Sequence, residues 1–333
     1  MQSLSFAEGE FVAGMSAIVI TPDRYQTVDR LIRHLHAQTV RHELELVFVL
    51  PSELPFASDD PRLRDFAAVR IVRTGSMDST ARARALGISA ATAPVIVLTE
   101  DHSLPDPDWA EALMRAHRDR WAVVGPAVKN GNPLSLLSWA NFLIEYSEWL
   151  DPAPSGEVSH VPGHNSAYKK DVLLIYGEDL DRWLETESLL HWDLRSRGYR
   201  LYLESSARTQ HLNFSRFFSS VALRFNAGRL FAGMRGAHWN VVRRLGYAAG
   251  SPLIPLVRLY RILRELRLPG RPTHLILPLL PLFLILLGID AFGEMVGYLA
   301  GPGAAAHRIA RVDFHREHFM NRRDQERLAT ENP

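Results

Sequence analysis

The chain of 333 residues contains no cysteine. Disulfides, thiolate metal sites and cysteine nucleophiles are therefore excluded together, which is compatible with a reducing compartment. An excess of charge of one sign is also lacking, because 38 basic residues stand against 37 acidic ones and the formal net charge is +1. That balance gives no reason to expect a nucleic acid as partner.

The first residues lack the pattern of a leader peptide. The opening MQSLSFAEGEFVAG has no basic stretch followed by a long apolar run, which a secretory signal requires. We therefore expect the catalytic part of the chain to stay in the cytoplasm. A chain of this length can form one large domain or two, with a hydrophobic core that needs no disulfide cross-links.

Short apolar runs alternate with longer amphipathic ones between residues 15 and 125. This alternation predicts an α/β fold, with a mostly parallel sheet flanked by helices on both faces. The predicted strands are 16–20, 44–50, 69–72 and 94–99, and the predicted helices are 27–39 and 78–92. Ligands of such sheets bind beyond the carboxyl ends of the strands.

Two carboxylates and an imidazole follow the last of these strands directly, as Glu100, Asp101 and His102. A carboxylate pair at the end of a buried strand is costly unless it is solvated or neutralised, and a divalent cation neutralises it efficiently. Such an ion would clamp a diphosphate and stabilise it as a leaving group. The residues alone leave a second interpretation equally open, in which Asp101 only caps the following turn.

The pattern from 126 to 215 is less regular. It predicts a helix at 135–150, a helix at 185–198 that Gly198 ends, and a strand at 200–204. We expect this stretch to be the acceptor-facing half of one catalytic domain that covers residues 1–215.

The composition changes after residue 215, where amphipathic, arginine-rich segments lead into the uncharged run LILPLLPLFLILLGI at 275–289. These 15 residues reach roughly 22 Å as a helix, less than the ~30 Å hydrocarbon core, and an extension to 301 includes Asp290 and Glu294. Basic residues flank the run on both sides, which favours a cytoplasmic location for both of its ends.

These features predict a membrane-associating region of amphipathic and apolar helices at 216–310, followed by a polar basic tail at 311–333. We expect the apolar run to form a re-entrant hairpin or interfacial helices in preference to one simple span. Pro278, Pro281 and Gly288 favour a break near its middle. A buried hairpin in the core of a soluble protein is the alternative.

Three motifs stand in a specific order along the first two thirds of the chain. His36-Ala37-Gln38-Thr39 ends the first predicted helix, ARARALG occupies 81–87, and TEDHSLPDPDW occupies 99–109. In this order and spacing, residues 15–215 resemble the family 2 glycosyltransferases of the GT-A fold. The resemblance implies an inverting transfer of a sugar from a nucleotide-diphosphate donor, with a divalent metal ion, Mg²⁺ or Mn²⁺, as cofactor.

The resemblance also implies roles for single residues. Asp101 matches the last acid of the family's metal motif, and His211 matches a histidine that relatives use as a further metal ligand. Arg84 matches an arginine that faces the nucleotide. The other positions implied to contact the donor or acceptor are Asp23, Glu53, Glu100, His164 and Asn165.

Two positions depart from the family's pattern. Thr21-Pro22-Asp23-Arg24 replaces Pro-Thr-Tyr-Asn after the first strand, so Asp23 stands at the asparagine position. The second strand ends in Leu50 and Pro51, where the family has an aspartate that reads the nucleobase, and Glu53 is the nearby carboxylate that would replace it. The identity of the nucleotide is therefore open.

A second acidic cluster, Glu185 and Glu187, precedes Arg195-Ser196-Arg197-Gly198. The resemblance implies that the catalytic base is Glu187, with Glu185 as the alternative. Inversion requires one carboxylate to take the proton of the acceptor hydroxyl as its oxygen attacks the anomeric carbon. Without the resemblance, acids that complement the macrodipole of a helix N-terminus are the other interpretation.

The expected function is therefore that of a hexosyl-type glycosyltransferase at the cytoplasmic face of the cell membrane. Its expected partners are a nucleotide sugar, a lipid-linked or glycan acceptor and membrane lipids, and no nucleic acid is expected. One alternative is a catalytically degenerate relative that acts as a binding or scaffold protein. The other, a nucleotidyltransferase, usually needs a glycine-rich phosphate loop, and TPDRYQT at 21–27 has no glycine.

Overall fold

A computed structural model describes residues 2–4, 13–22, 28–56, 59–75 and 77–330. The chain divides into two compact units, which are described separately. The first comprises residues 1–129 and 153–210, and the second comprises residues 130–152 and 211–333.

The first unit contains the central sheet. Strands β1 to β5 are Gln2–Leu4, Met15–Ile20, Leu44–Pro51, Ala68–Thr74 and Val95–Leu98. Strands β2 to β5 form a parallel block in the order β4-β3-β2-β5, and Ala17 of β2 pairs with Leu46 and Val97 of its neighbours. The apolar runs form this block because their side chains are buried on both faces of the sheet.

The remaining strands complete a mixed sheet. Strands β6 to β10 are Ser103–Pro105, Val123–Asn130, Gly156–Val158, Ala167–Lys169 and Leu201–His211. Strand β9 is antiparallel to both β5 and β7, and β8 is antiparallel to β10. The predicted α/β class is therefore confirmed, and the sheet is mixed, because antiparallel pairs adjoin the parallel block of four strands.

Helices of the first unit cover the two faces of the sheet. In chain order, the helices of both units are α1 Asp29–His36, α2 Thr80–Ala90, α3 Trp109–Ala116, α4 Leu136–Tyr146, α5 Lys170–Leu174, α6 Leu180–Leu184, α7 Glu187–Ser196, α8 Phe217–Arg235, α9 Val241–Gly250, α10 Ile254–Leu266, α11 Ile276–Ala300, α12 Ala305–Asp313 and α13 Arg322–Thr330. Because side chains alternate along a strand, Ala17 packs with α1 and α3, whereas Ile18 packs with α2 on the opposite face.

The carboxyl ends of the parallel strands position the acidic residues. Strand β5 ends at Leu98, and Thr99, which is buried, donates a hydrogen bond from its hydroxyl to the carbonyl of Ile18 over 2.6 Å. Glu100 then forms a β-bridge with Ser103 that turns the chain into β6. Glu100 and Asp101 therefore lie at the edge that the strand order predicts for ligands.

The second unit is mainly helical in its described residues. Helix α4, expected in the acceptor half of the catalytic domain, belongs to this unit together with α8 to α13. Within the part of the chain that the structure describes, Thr273–Ala300 is the one helical stretch long and apolar enough to cross a membrane.

The expected break in the apolar run is wrong, because α11 is one continuous helix of 25 residues. Pro278 lies in its first turn, where a missing backbone N–H costs no helical hydrogen bond, and Pro281 is accommodated inside the helix. Asp290 and Glu294 are buried within the unit, and Asp290 forms an ion pair with Arg258. A hairpin is therefore not needed to keep these carboxylates away from lipid.

Candidate active site

A buried arginine links the two acidic clusters of the first unit. Helix α2 begins after Ser79, whose hydroxyl accepts a hydrogen bond from the backbone N–H of Arg82 over 3.1 Å. One turn later Arg84 is only 4% exposed. Its guanidinium donates to Oε1 of Glu187 over 2.7 Å and to Oε1 of Glu100 over 2.9 Å. One side chain thus binds two carboxylates that lie far apart in the sequence.

The charges of this bridge stabilise one another. Burial acts to lower the pKa of Arg84, but the negative charges of Glu187 and Glu100 outweigh it and raise that pKa. Burial likewise opposes ionisation of Glu100, but His164, His102 and Arg84 together hold its pKa well below the usual range. Glu100 is therefore a carboxylate anion at neutral pH.

His102 lies between the two carboxylates of the strand end. Its Nδ1 is 2.6 Å from Oδ1 of Asp101, and its Nε2 is 2.9 Å from Oε2 of Glu100. The imidazole is buried, whereas each carboxylate keeps 17% of its side chain exposed. The end of β5 is therefore followed by two partly exposed carboxylates, both of which contact the buried His102.

The loop before β9 brings a second imidazole to Glu100. Asn165 has a φ of 53°, and its side-chain amide donates to the carbonyl and to the hydroxyl of Ser103 over 2.9 and 2.8 Å. Asparagine adopts the left-handed region more readily than other non-glycine residues, and its two hydrogen bonds to Ser103 fix the loop in this conformation. The adjacent His164 lies with its Nδ1 3.4 Å from Oε2 of Glu100.

The second acidic cluster spans a helix junction. Glu187 is the first residue of α7, and Glu185 is the C-cap residue that follows α6. Glu185 accepts a hydrogen bond from the Ser79 hydroxyl over 2.9 Å, and burial raises its pKa. Both carboxylates therefore contact the first turns of α2. The helix predicted at 185–198 starts two residues later than expected, so the two acids do not share one helix.

Gly163 allows the close approach of Glu187. A Cβ atom at this position would lie 2.6 Å from Cδ and 2.8 Å from Cγ of the Glu187 side chain. Carbon atoms do not approach one another so closely, so any larger residue would displace the carboxylate. The glycine in VPGHN thus sets the position of Glu187.

Two of the sequence motifs form the support of the strand end. The buried side chain of Gln38 donates to the carbonyls of His34 and Asp106, and its Oε1 accepts the backbone N–H of Ala110 over 2.9 Å. The indole of Trp109 donates to the carbonyl of Asn165 over 3.3 Å. The Gln-Thr and Pro-Asp-Trp segments therefore fix the loops that carry the site.

A comparison with known protein families identifies the part of the chain that contains Arg84 and the strand end. The profile of the family described as Glycosyl transferase family 2 matches residues 16–175. The chain contains a family 2 glycosyltransferase domain. The expected family and its GT-A-like fold are therefore confirmed, and the match includes Arg84, Glu100, Asp101, His164 and Asn165.

A comparison with solved structures finds a distant likeness. The solved structure of S. aureus TarS covers 86% of this chain at 13% sequence identity and a TM-score of 0.42. The alignment includes 55% of TarS, so the chain spans just over half the length of that protein. No curated protein matches the chain significantly.

The first unit brings together six of the predicted residues, namely Arg84, Glu100, Asp101, His164, Glu185 and Glu187. Asn165 donates a hydrogen bond to Ser103 and thereby fixes the loop that carries His164. Glu53 is exposed in the turn after β3, and Asp23 lies outside the described residues. His211 belongs to the second unit, where its Nδ1 is 2.8 Å from Oδ1 of Asn213 and its Nε2 is 3.3 Å from the Tyr146 hydroxyl.

Sequence reasoning missed several residues that shape this site. Ser79 and Gly163 were assigned no role, and His102 was noticed without a function. Tyr168, fully buried, is also close enough for the charges of Glu187 and Arg84 to act on its pKa, and its hydroxyl lies 2.8 Å from Nε2 of His191. Only the glycine of VPGHN, next to the predicted His164, offered a signal in the sequence.

Replacement of the bridging arginine is expected to destabilise the family 2 domain. Arg84→Met leaves two carboxylates near each other without their cation, so the free energy of unfolding should fall by about 3–5 kcal/mol in chemical denaturation. The matched control is Arg82→Met, an exposed position on the same helix, which should change it by less than about 0.5 kcal/mol. Equal stability of the two variants would contradict the bridge.

An added methyl group at Gly163 is expected to displace Glu187 without unfolding the protein. If Glu187 acts in the reaction, a displacement on the order of 1 Å should lower sugar transfer by about 10²-fold. The control is Gly156→Ala, because a Cβ atom there meets no atom within 4 Å. The measurement is the transfer rate of each variant at matched donor occupancy. Full activity of Gly163→Ala would show that the reaction does not depend on the position of the Glu187 carboxylate.

Proposed function

We propose that the protein is an inverting glycosyltransferase that moves a sugar from a nucleotide-diphosphate sugar to an acceptor hydroxyl, with Glu187 as the general base. The observation that carries the proposal is the pair of hydrogen bonds from Arg84, one to Glu187 and one to Glu100. The general base and the site of the diphosphate must lie close together if they act in one displacement. Arg84 supports such an arrangement because it binds both Glu187 and Glu100.

In the proposed reaction, the Glu187 carboxylate accepts the proton of the acceptor hydroxyl while the hydroxyl oxygen attacks the anomeric carbon. The anomeric C–O bond to the diphosphate breaks on the opposite side, and its electron pair leaves with the nucleoside diphosphate. The configuration is inverted because a single displacement occurs. Arg84 binds Oε1 of Glu187, so we assign the proton to Oε2 and treat Arg84 as a positioning residue.

The residues at the strand end fit a divalent cation. Carboxylate oxygens suit both Mg²⁺ and Mn²⁺, and the two imidazoles beside Glu100 are compatible with Mn²⁺. We propose that Asp101 and Glu100 hold the ion, which when bound supplies positive charge to the leaving diphosphate. The further ligand implied by the resemblance, His211, stays a prediction, as do donor or acceptor contacts of Asp23, Glu53, His164 and Asn165.

We further propose a lipid-linked or glycan acceptor at the cytoplasmic face of the cell membrane. The arginine-rich helices and the apolar helix α11 of the second unit support a membrane location.

A degenerate binding protein is the second candidate, because a buried leucine, Leu50, stands at the position where the family has the aspartate that reads the nucleobase. Product analysis distinguishes the candidates: released nucleoside diphosphate supports transfer, no product supports the binding protein, and pyrophosphate would indicate a nucleotidyltransferase.

The exchange Glu187→Gln is expected to separate donor binding from chemistry. Glutamine is isosteric and can still accept a hydrogen bond from Arg84, but it cannot take a proton, so the turnover number should fall by about 10²- to 10⁴-fold. Donor binding, measured as donor-dependent thermal stabilisation across a panel of nucleotide sugars, should be retained.

Glu185→Gln is the matched control, because Glu185 contacts the same helix through Ser79. This variant should keep transfer within a few-fold of the unchanged protein. The opposite result, with Glu187→Gln active and Glu185→Gln inactive, would assign the base to Glu185. Unchanged transfer in both variants would show that neither Glu185 nor Glu187 is the general base.

The exchange Asp101→Asn is expected to abolish the metal dependence of donor binding. An amide is a weaker ligand than a carboxylate for a divalent cation, so the thermal shift produced by donor with Mn²⁺ should shrink to that of donor alone. Asp108→Asn, an exposed exchange in the same segment, serves as control. If Asp101→Asn keeps the full metal-dependent shift, Asp101 does not bind the ion.

A further inference from the structure

The apolar helix α11 exposes an uncharged stripe along its whole length. The stripe recurs at helical spacing and consists of Leu277, Pro278, Pro281, Leu284, Ile285, Gly288, Phe292 and Leu299. Leu277 is 79% exposed, and only 33% of the most apolar window of the helix is buried. The core helix of a soluble protein would be mostly buried. A continuous apolar surface of this kind therefore marks an interaction site.

The opposite face of α11 packs closely on α8. A Cβ atom at Gly293 would lie 2.2 Å from the carbonyl oxygen of Phe225, and one at Gly297 would lie 2.5 Å from that of Arg229. From the side of α8, a Cβ atom at Gly228 would lie 2.1 Å from the carbonyl oxygen of Asp290. The two helices therefore lie backbone to backbone, and α11 cannot enter a membrane without α8.

Helix α8 carries arginines where it meets α11. Arg229 donates to the carbonyl of Gly301 over 3.1 Å, and Arg235 donates to the hydroxyl of Tyr298 over 3.1 Å. Nearer the middle of α11, Asp290 pairs with Arg258 of α10. A spanning orientation would move the ion pair of Asp290 with Arg258 into hydrocarbon, which is costly. An orientation in the membrane plane leaves them on the protein side of α11.

Helix α10 indicates the chemistry of the partner. The exposed stripe of α10 and its two flanking residues begins with Leu253, Leu256, Val257 and Tyr260 and continues at the same spacing with Arg261, Arg264 and Arg267. The segment 216–271 contains eleven arginines and a single acid, Glu265, which pairs with Arg264. An apolar surface bordered by exposed arginines is complementary to a bilayer whose headgroups are anionic.

We propose that the exposed stripes of α10 and α11 lie in the plane of one leaflet of an anionic membrane, and that α11 does not span it. This inference deepens the membrane location that we proposed for the enzyme, but it rests on the second unit alone. It requires that both ends of α11 remain on the same side of the bilayer, with the arginines of α10 at the headgroups.

Vesicle binding tests the surface. The full-length protein, diluted from mild detergent, should float with vesicles of phosphatidylcholine and phosphatidylglycerol, and less with phosphatidylcholine alone or at high salt. Leu256→Asp and Leu284→Asp should each weaken partition about tenfold or more, because each exchange removes a leucine that the bilayer would bury. Leu174→Asp, at an exposed leucine of the first unit, should have no effect.

Cysteine labelling tests the orientation, because the natural chain has no cysteine to interfere. Thr273→Cys and Ala304→Cys introduce single thiols at exposed positions beyond the two ends of α11. In inside-out vesicles from expressing cells, a membrane-impermeant maleimide should label both variants, and in sealed cells it should label neither. Labelling of one end from each side would establish a span and overturn the proposal.

The remaining outcomes are also decisive. A protein that binds no vesicles and forms a dimer disrupted by Leu284→Asp would show that a second copy of the chain covers the stripe. Failure of the membrane proposal is distinguishable from failure of the enzymatic one, because donor-dependent thermal stabilisation in detergent reports on the first unit. The aspartate variants of α10 and α11 should keep that stabilisation while losing vesicle binding.

Discussion

The buried guanidinium of Arg84 is the constraint on which the candidate site depends. A buried cation must be compensated, and here two carboxylates from distant parts of the chain provide the compensation. The contacts with Arg84 place both carboxylates: Glu187 approaches the arginine across Gly163, and Glu100, two residues after β5, lies beside two imidazoles. Replacement of such an ion pair by apolar residues is often neutral for stability, so we propose that this pair serves to position the carboxylates.

The same principle organises the second unit. Asp290 would be expensive against lipid, yet it pairs with Arg258 on the inner side of α11, and the outer side is left uniformly apolar. Glycines at the contact with α8 make this possible, because they allow the two backbones to approach. Charges that made a single span improbable from composition are thus compatible with a long, continuous helix.

Much of the first unit could be predicted from its sequence, because buried parallel strands are uninterrupted apolar runs and amphipathic helices have their own period. The strands at 44–50 and 94–99 agree with β3 and β5 to within one residue at each end. The three-residue strand β9 was missed, because its antiparallel pairing with β5 depends on contacts far apart in sequence. The hairpin in the apolar run was wrong because composition does not tell whether a proline lies in the first turn of a helix.

The site was predicted less completely than the fold. Residue types and motif order led to Asp101, Arg84 and Glu187, but the hydrogen bonds of Arg84 to two carboxylates have no signature in a single sequence. The space above Gly163 is equally invisible, because a glycine can serve a turn, a positive φ or a close contact. The role of Gly163 is visible only in the folded structure, where the loop before β9 packs against the start of α7.

The central claim is that Arg84 acts through Glu187, and the double variant Arg84→Met/Glu187→Gln tests it most directly. Turnover numbers of this variant and of both single variants are to be measured at saturating donor, so that only the chemical step is compared. If Arg84 only positions the base, its loss has no further effect once the base is gone, and the double variant matches Glu187→Gln. A loss equal to the product of the two single losses would show that Arg84 acts independently of Glu187, and would contradict the account.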